Sequence, residues 1–529
     1  MGRALQLAPE SGRLESSVAA SSPQGQGAFP LNEITIAELQ SAYARKRFTS
    51  EQVVELYLDR ISEIDRAGPN LLSILELNPD AQVIARELDA ERAAGRVRGP
   101  LHGVPIVLKD VIDTADKMHT TAGSFALLGS KPPRDAFIVE RLRSAGAIIL
   151  GKANLSEWSN CRSTNGTSGW SARGGLTKNP YVLDRSACGS SSGTAVAVSA
   201  NLVSAGIGVE TDGSISCPAS ANGLVGVKPT VGLLSRSGLI PISFAQDTAG
   251  PVARTVTDAA ILLGAMRGVD VRDLATDGSQ GHLEVDYAGG LDAGALRGAR
   301  IGVMRLHNEP QHPADPVFEG ALAALRDAGA TVVDNVDPPS IEDLQRAEVL
   351  VLLCEFKDLI REYLATRGPE EPHRSLADLI RFNVENADIE MRWFGQEWFE
   401  AAEATAGRRT PDYLPALTRC RTLSRTQGID KAIADYRLDA IVTLAAGPAF
   451  AVDLLNGDHA MRTLTSLAAV AGYPRVTVPA GHVLGLPVGI SFSGPAWSEG
   501  RLLSLAFAFE QHTKVRRPPR FLPTAGLDR

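Results

Sequence analysis

The chain has 529 residues, with 53 Lys and Arg against 61 Asp and Glu for a formal net charge of −8, too weak a field to draw nucleic acid or an anionic membrane into a basic groove. Its 44% apolar and 22% charged residues are globular proportions and exclude wholesale disorder or a long coiled coil. No stretch reaches the ~20 apolar residues that span a bilayer, since Ala440 to Val452 is interrupted by Gly447-Pro448.

Residues 1 to about 30 contain charges, Pro and Gly that break up every apolar run, so they read as a mobile tail with no secretory leader, ahead of a domain over 31–525. Thr35-Ile36-Ala37-Glu38 has the spacing of a capping box and opens a first helix; Thr49-Ser50 caps a second, in which Val53, Leu56, Tyr57, Ile61 and Ile64 share one face. An apolar run from Leu71 to Leu77 ends at Asn78-Pro79, and a charged helix follows through Glu91 to about Ala94. From residue 100, short apolar runs alternate with helices: Ile106 to Leu108, a helix near Ala136 to Ser144, Ala147 to Leu150, and later Arg300 to Met304, a helix from Pro316 to Ala328, and Ala330 to Val333. That alternation predicts an α/β fold with a partly parallel sheet. Residues 160–260 are rich in Gly and Ser and read as loops around one short helix, Thr194 to Leu202, the kind of segment that carries function. Residues 340–436 are mostly amphipathic helix. Arg475 to Pro479, Val488 to Phe492 and a helix from Glu499 to His512 close the chain. No linker or internal repeat divides it, so one large domain is expected.

Five cysteines, Cys161, Cys188, Cys217, Cys354 and Cys420, are odd in number and form no CxxC pair. The expectation is reduced thiols in a cytoplasmic protein, with neither a disulfide framework nor a Cys-built zinc site. None of the nine histidines sits in a metal-binding spacing, so no metal or cofactor is called for. Gly189-Ser190-Ser191-Ser192-Gly193 matches the GxSxG elbow with Ser191 at its centre, but a turn rather than an apolar strand precedes it, which weakens an esterase reading. A Walker-type GxxxxGK[ST] loop is absent.

Three other segments belong together: Val107-Leu108-Lys109-Asp110, the loop Cys188 to Thr194, and Glu210-Thr211-Asp212-Gly213-Ser214-Ile215-Ser216-Cys217-Pro218. In these the sequence resembles the amidase signature family, and the resemblance continues through Val225 to Thr230, Gly232 to Arg236 and Asp247 to Pro251, covering about residues 33 to 520. It implies the amidase signature fold, a mixed twisted sheet flanked by many helices, and a Ser-Ser-Lys triad with Ser214 as nucleophile, Ser190 as bridging serine after a cis Gly189–Ser190 bond, and Lys109 as base. The N–H groups of Thr211, Asp212, Gly213 and Ser214 would then face the oxyanion. The chemistry agrees: a serine hydroxyl needs a base, and a lysine serves only if burial keeps its amine neutral.

Asp212, Cys188, Ser192 and Ser216 depart from the commonest family pattern and resemble the peptide amidase branch, as do Ser168 to Gly175, Asn179 to Tyr181 and Gly494 to Ser498. The implied activity is hydrolysis of a carboxylic amide through an acyl-enzyme on Ser214, the substrate being a small-molecule amide or a peptide C-terminal amide. A carbamate- or ester-cleaving member and an amidotransferase-type subunit are the alternatives. No nucleic acid or membrane partner is expected, and the chain is expected to be a monomer or homodimer. Ser216 stands where an arginine clamp for a substrate carboxylate would be, which predicts a small, uncharged wall beside the nucleophile and a preference for neutral amides, unless Arg173 or Arg236 reaches the same place.

Overall fold

A computed structural model describes residues 29–283, 286–305, 312–334, 336–459 and 463–526. All but the last residues of the expected N-terminal tail lie outside the described residues. Both predicted caps are made: Thr35 and Thr49 accept from the N–H of Glu38 and Gln52, whose side chains bond back, opening helices Ile36–Ala44 and Ser50–Arg60.

The strands run in chain order as β1 (Ile74–Leu77), β2 (Pro105–Lys109), β3 (Ile148–Ala153), β4 (Trp170–Ser171), β5 (Gly175–Leu176), β6 (Ala205–Glu210) and β7 (Val225–Lys228). They continue as β8 (Thr248–Ala253), β9 (Arg300–Val303), β10 (Thr331–Val333), β11 (Ala440–Leu444), β12 (Arg475–Val483) and β13 (Leu486–Ser493). Strands β4 and β5 make a separate small hairpin, and the other eleven form one sheet in the order β1-β3-β2-β6-β8-β7-β12-β13-β11-β9-β10. Pairing is parallel for β3-β2-β6 and for β11-β9-β10, and antiparallel elsewhere. The α/β single-domain expectation therefore holds, with helices on both sides of a mixed sheet.

One region differs from its sequence reading. Residues 160–260 supply three central strands of the sheet, β6, β7 and β8, in addition to helices Ser192–Ser199 and Ser216–Ala221. These strands hide because Gly206, Gly208, Gly226 and Gly250 interrupt their apolar pattern, and each glycine lets another segment close in. A Cβ on Gly250 would lie 1.9 Å from the carbonyl oxygen of Val227. Every residue of β2, β3, β6, β7 and β8 is buried.

Residues 341–436 form the predicted helical region, led by helix Ile341–Thr366. It meets the loops at one end of the sheet through the shared apolar core, with Phe399 edge-on to Trp158, and through polar clamps. Glu355 accepts from Ser243 Oγ and Ala245 N, Tyr363 donates to Asp113, Arg367 donates to the carbonyls of Thr120, Leu127 and Ser130, and Glu390 accepts from Ser124 and Phe125.

Candidate active site

Because β2 and β6 are parallel neighbours, with Leu108 opposite Ile207, both chains leave the sheet at the same edge. Crevices at the carboxyl ends of parallel strands are where open α/β sheets bind ligands. Lys109 is the last residue of β2, Glu210 the last of β6, and the segment Thr211 to Ile215 follows at once. Helix Ser192–Ser199 packs beside β6 and presents Ser190 just before its start.

The three residues singled out in sequence meet here. Lys109 Nζ lies 2.7 Å from Ser190 Oγ, and Ser190 Oγ lies 2.9 Å from Ser214 Oγ. Lys109 is fully buried, and burial brings its amine down from the ordinary 10.5 to about 7, although Asp247, Cys161 and Glu210 pull the other way. Nζ also donates to the Val209 carbonyl. The Gly189–Ser190 peptide is cis. Gly189 fits because a Cβ there would stand 2.2 Å from Ser156 Oγ.

The turn after β6 is shaped from below by Glu210, whose carboxylate accepts the N–H groups of Ile215 and Ser216 and the Ser216 hydroxyl. Gly213 takes a positive φ of 78°, a conformation open to glycine at little cost. Among the described residues, no acceptor is bonded to the N–H of Asp212, Gly213 or Ser214, so this turn offers donors of the kind that stabilise an oxyanion. Ser191 sits differently. It is fully buried and exchanges hydrogen bonds with Val209, its hydroxyl donating to the carbonyl and accepting from the N–H. An elbow nucleophile would have to face the cleft.

Two sequence expectations are corrected. Cys188 and Cys217 are joined in a disulfide that ties the Ser190 loop to the helix after Ser214; Cys161, Cys354 and Cys420 are free. An odd count conceals one bridge among five cysteines when the partners are brought together only by the fold. Ser216, in turn, is not a pocket wall: its side chain is fully buried and turned onto Glu210. Two residues before Ser214 stands Asp212. One of its carboxylate oxygens accepts from Ser466 Oγ at 2.5 Å, and among the described residues the other has no hydrogen-bond partner. Burial raises the Asp212 carboxyl above the ordinary carboxylate range, and burial raises Glu348 well above it, with the nearby Asp212 charge adding to the effect. Neither possible arginine clamp is free, because Arg173 pairs with Glu76 and Arg236 makes a two-pronged bond to Asp273.

Sequence reasoning missed the groups that hold this turn. Gln246 donates to the Thr211 carbonyl at 3.3 Å and to Glu348 at 2.7 Å, while Asp247 accepts from the Thr211 hydroxyl at 2.5 Å. The only sequence signal was the run Asp247 to Pro251, which by itself names no partner. Among the described residues no group of three or more His, Cys, Asp or Glu could hold a metal ion, and no helix is long and apolar enough to cross a membrane.

The amidase family model matches residues 52–503. A protein of Arabidopsis thaliana named a probable amidase is 45% identical over 93% of this chain and 93% of its own. The A subunit of a glutamyl-tRNA(Gln) amidotransferase from Pseudomonas syringae is 34% identical over 93% of this chain and 100% of its own. Among solved structures, the native peptide amidase from Stenotrophomonas maltophilia superposes with a TM-score of 0.88 at 50% identity, covering 93% of this chain and 99% of that one. With a family model over most of its length and such identities across nine-tenths of it, the chain belongs to the amidase family and is an amide-hydrolysing enzyme.

Proposed function

We propose that the protein is a stand-alone hydrolase that cleaves neutral carboxylic amides, peptide C-terminal amides foremost, through an acyl-enzyme on Ser214. The observation that carries the reading is the unbroken contact from the buried, deprotonatable Lys109 through Ser190 to Ser214. Ser214 Oγ attacks the amide carbon as its proton moves to Ser190, whose own proton moves to the neutral Lys109 amine. The carbonyl oxygen takes the negative charge and faces the N–H groups of Thr211, Asp212, Gly213 and Ser214. When the C–N bond breaks, the relay runs backwards and protonates the leaving nitrogen. Water then attacks the ester, giving up its proton along the same path, and Ser214 is released with the acid.

Neutral substrates are favoured because the two arginines that could clamp an anionic substrate, Arg173 and Arg236, are committed to Glu76 and Asp273. The 50% identity to a peptide amidase supports the peptide-amide preference. The test is ammonia release from a peptide amide by the purified chain, with no glutamine, ATP or partner added. Turnover under those conditions is the expected result. Activity that appears only with a partner subunit, as the likeness to an amidotransferase A subunit allows, would overturn the stand-alone reading.

A further inference from the structure

We infer that Asp247 is a positioning residue for this hydrolysis: its carboxylate fixes Thr211 at the head of the oxyanion turn and supplies the negative charge that the Lys109 amine faces. The inference rests on the Ser-Ser-Lys reading above and adds to it a residue outside the triad.

Strand pairing puts Asp247 in place. In the antiparallel β6-β8 ladder, Glu210 stands opposite Thr248, so the residue before β8 lies across from the residue after β6. Asp247 is almost wholly buried, at 5% exposure, and every bond of its carboxylate serves to anchor it or Thr211. One oxygen takes the Thr211 hydroxyl at 2.5 Å; the other takes the N–H groups of Ile242 and Ser243 at 2.7 and 2.9 Å. The neighbouring Gln246 amide grips the carbonyl of the same threonine. Thr211 is thus held by side chain and main chain at once. Since C=O and the following N–H point in opposite directions across a planar peptide, fixing the Thr211 carbonyl also fixes the direction of the Asp212 N–H.

The second role is electrostatic. The charged and titratable groups that face Lys109 are Asp247, Cys161 and Glu210, and Asp247 acts most strongly of the three. Cys161 stays a neutral thiol, its pKa pushed up to about 12 by burial. Glu210 is committed to the N–H groups of Ile215 and Ser216. Asp247 itself is raised to about 6 by burial, against the pull of its hydrogen bonds and of Arg236. Arg236 is turned away onto Asp273.

Charge and anchor separate by mutation. In Asp247→Asn the amide oxygen can still accept from Ile242 and Ser243, and its NH2 can donate to the Thr211 hydroxyl, so the tie survives and the charge is lost. In Thr211→Val the charge survives and the tie is lost. The measurement is the pH profile of kcat/KM on a peptide amide, with thermal unfolding and phosphonate labelling of Ser214 to show that each variant is folded and assembled. For Asp247→Asn the acid limb should move down by about one pH unit, the low end for loss of a neighbouring opposite charge. For Thr211→Val, kcat should fall about ten- to a hundredfold, the scale of a small misplacement, with the limb unmoved and KM little changed. Thr211→Ser should restore the rate. A limb present in the wild type but unmoved in Asp247→Asn overturns the electrostatic role, and a wild-type rate in Thr211→Val overturns the anchor. A wild-type profile with no limb near neutrality would instead sink the Ser-Ser-Lys reading.

Discussion

Replacing Lys109 by methionine should make the protein inactive and more stable. Holding an amine at about 7 instead of its ordinary 10.5 corresponds to a native-state cost of about 5 kcal/mol at neutral pH, at ~1.4 kcal/mol per pH unit. Methionine fills a similar space without a charge to desolvate. Against this stand two lost hydrogen bonds, to Ser190 Oγ and the Val209 carbonyl, at about 1 kcal/mol each, and Val209 keeps the donor from Ser191. The net gain is about 2–3 kcal/mol, visible in urea midpoints or as a melting temperature higher by a few degrees. The pH dependence has a definite sign. Between about 7 and 10.5 the unfolded lysine is protonated and the folded one is not, so wild-type stability rises with pH while the variant lacks this term. The gap is therefore widest below about pH 7 and narrows toward pH 10. A variant less stable than wild type at pH 6, or a gap that stays constant with pH, would refute the claim that Lys109 is buried at the expense of its charge.

Ser214→Ala should abolish turnover and phosphonate labelling, whereas Ser191→Ala, which breaks only the bonds to Val209, should keep labelling; mass spectrometry of the labelled protein decides between them. Reducing Cys188–Cys217, 29 residues apart in sequence, should lower stability by about 3.5 kcal/mol on the chain-entropy account. The Cys188→Ser/Cys217→Ser variant should have that lower midpoint with or without reductant, and equal wild-type midpoints in both conditions would speak against the bridge. In a matched pair of substrates, one neutral amide and one bearing a carboxylate beside the scissile bond, kcat/KM should favour the neutral member. A higher value for the acid would mean that a cation serves the pocket and would refute the preference for neutral amides.

The elements legible in sequence were those with a local cause. The caps at Thr35 and Thr49 and the final helix Glu499–Thr513 follow from short-range bonds and periodicity. Lys109, Ser190 and Ser214 could be named because each lies in a motif readable by itself, and the fold brings the three within hydrogen-bond reach. What stayed hidden depends on partners distant in sequence. Strands β6, β7 and β8 look like loops until another segment of the chain packs against their glycines. The Cys188–Cys217 bridge needs two turns to meet, Ser216 could be placed only by seeing Glu210 beneath it, and Asp247 only by the register of β6 with β8. Glu348 and Glu355 look like solvent-facing positions of an amphipathic helix, yet both are buried against the loops before β8.

The division of labour along the chain bears on how such an enzyme can be recombined. All three residues of the proposed triad, the turn proposed to bind the oxyanion and Asp247 come from one continuous stretch, residues 105–253, whose strands β3, β2, β6, β8 and β7 are adjacent in the sheet. The helices of 341–436 meet that stretch through apolar packing such as Phe399 on Trp158 and through polar handholds, Glu348 on Gln246, Glu355 on Ser243 and Ala245, Tyr363 on Asp113, Arg367 on Thr120, Leu127 and Ser130, Glu390 on Ser124 and Phe125, and Glu397 on Ser163. A homologue's helical segment can therefore be exchanged as a cassette, new walls for an old reaction, provided these polar handholds and the matching apolar contacts travel with it.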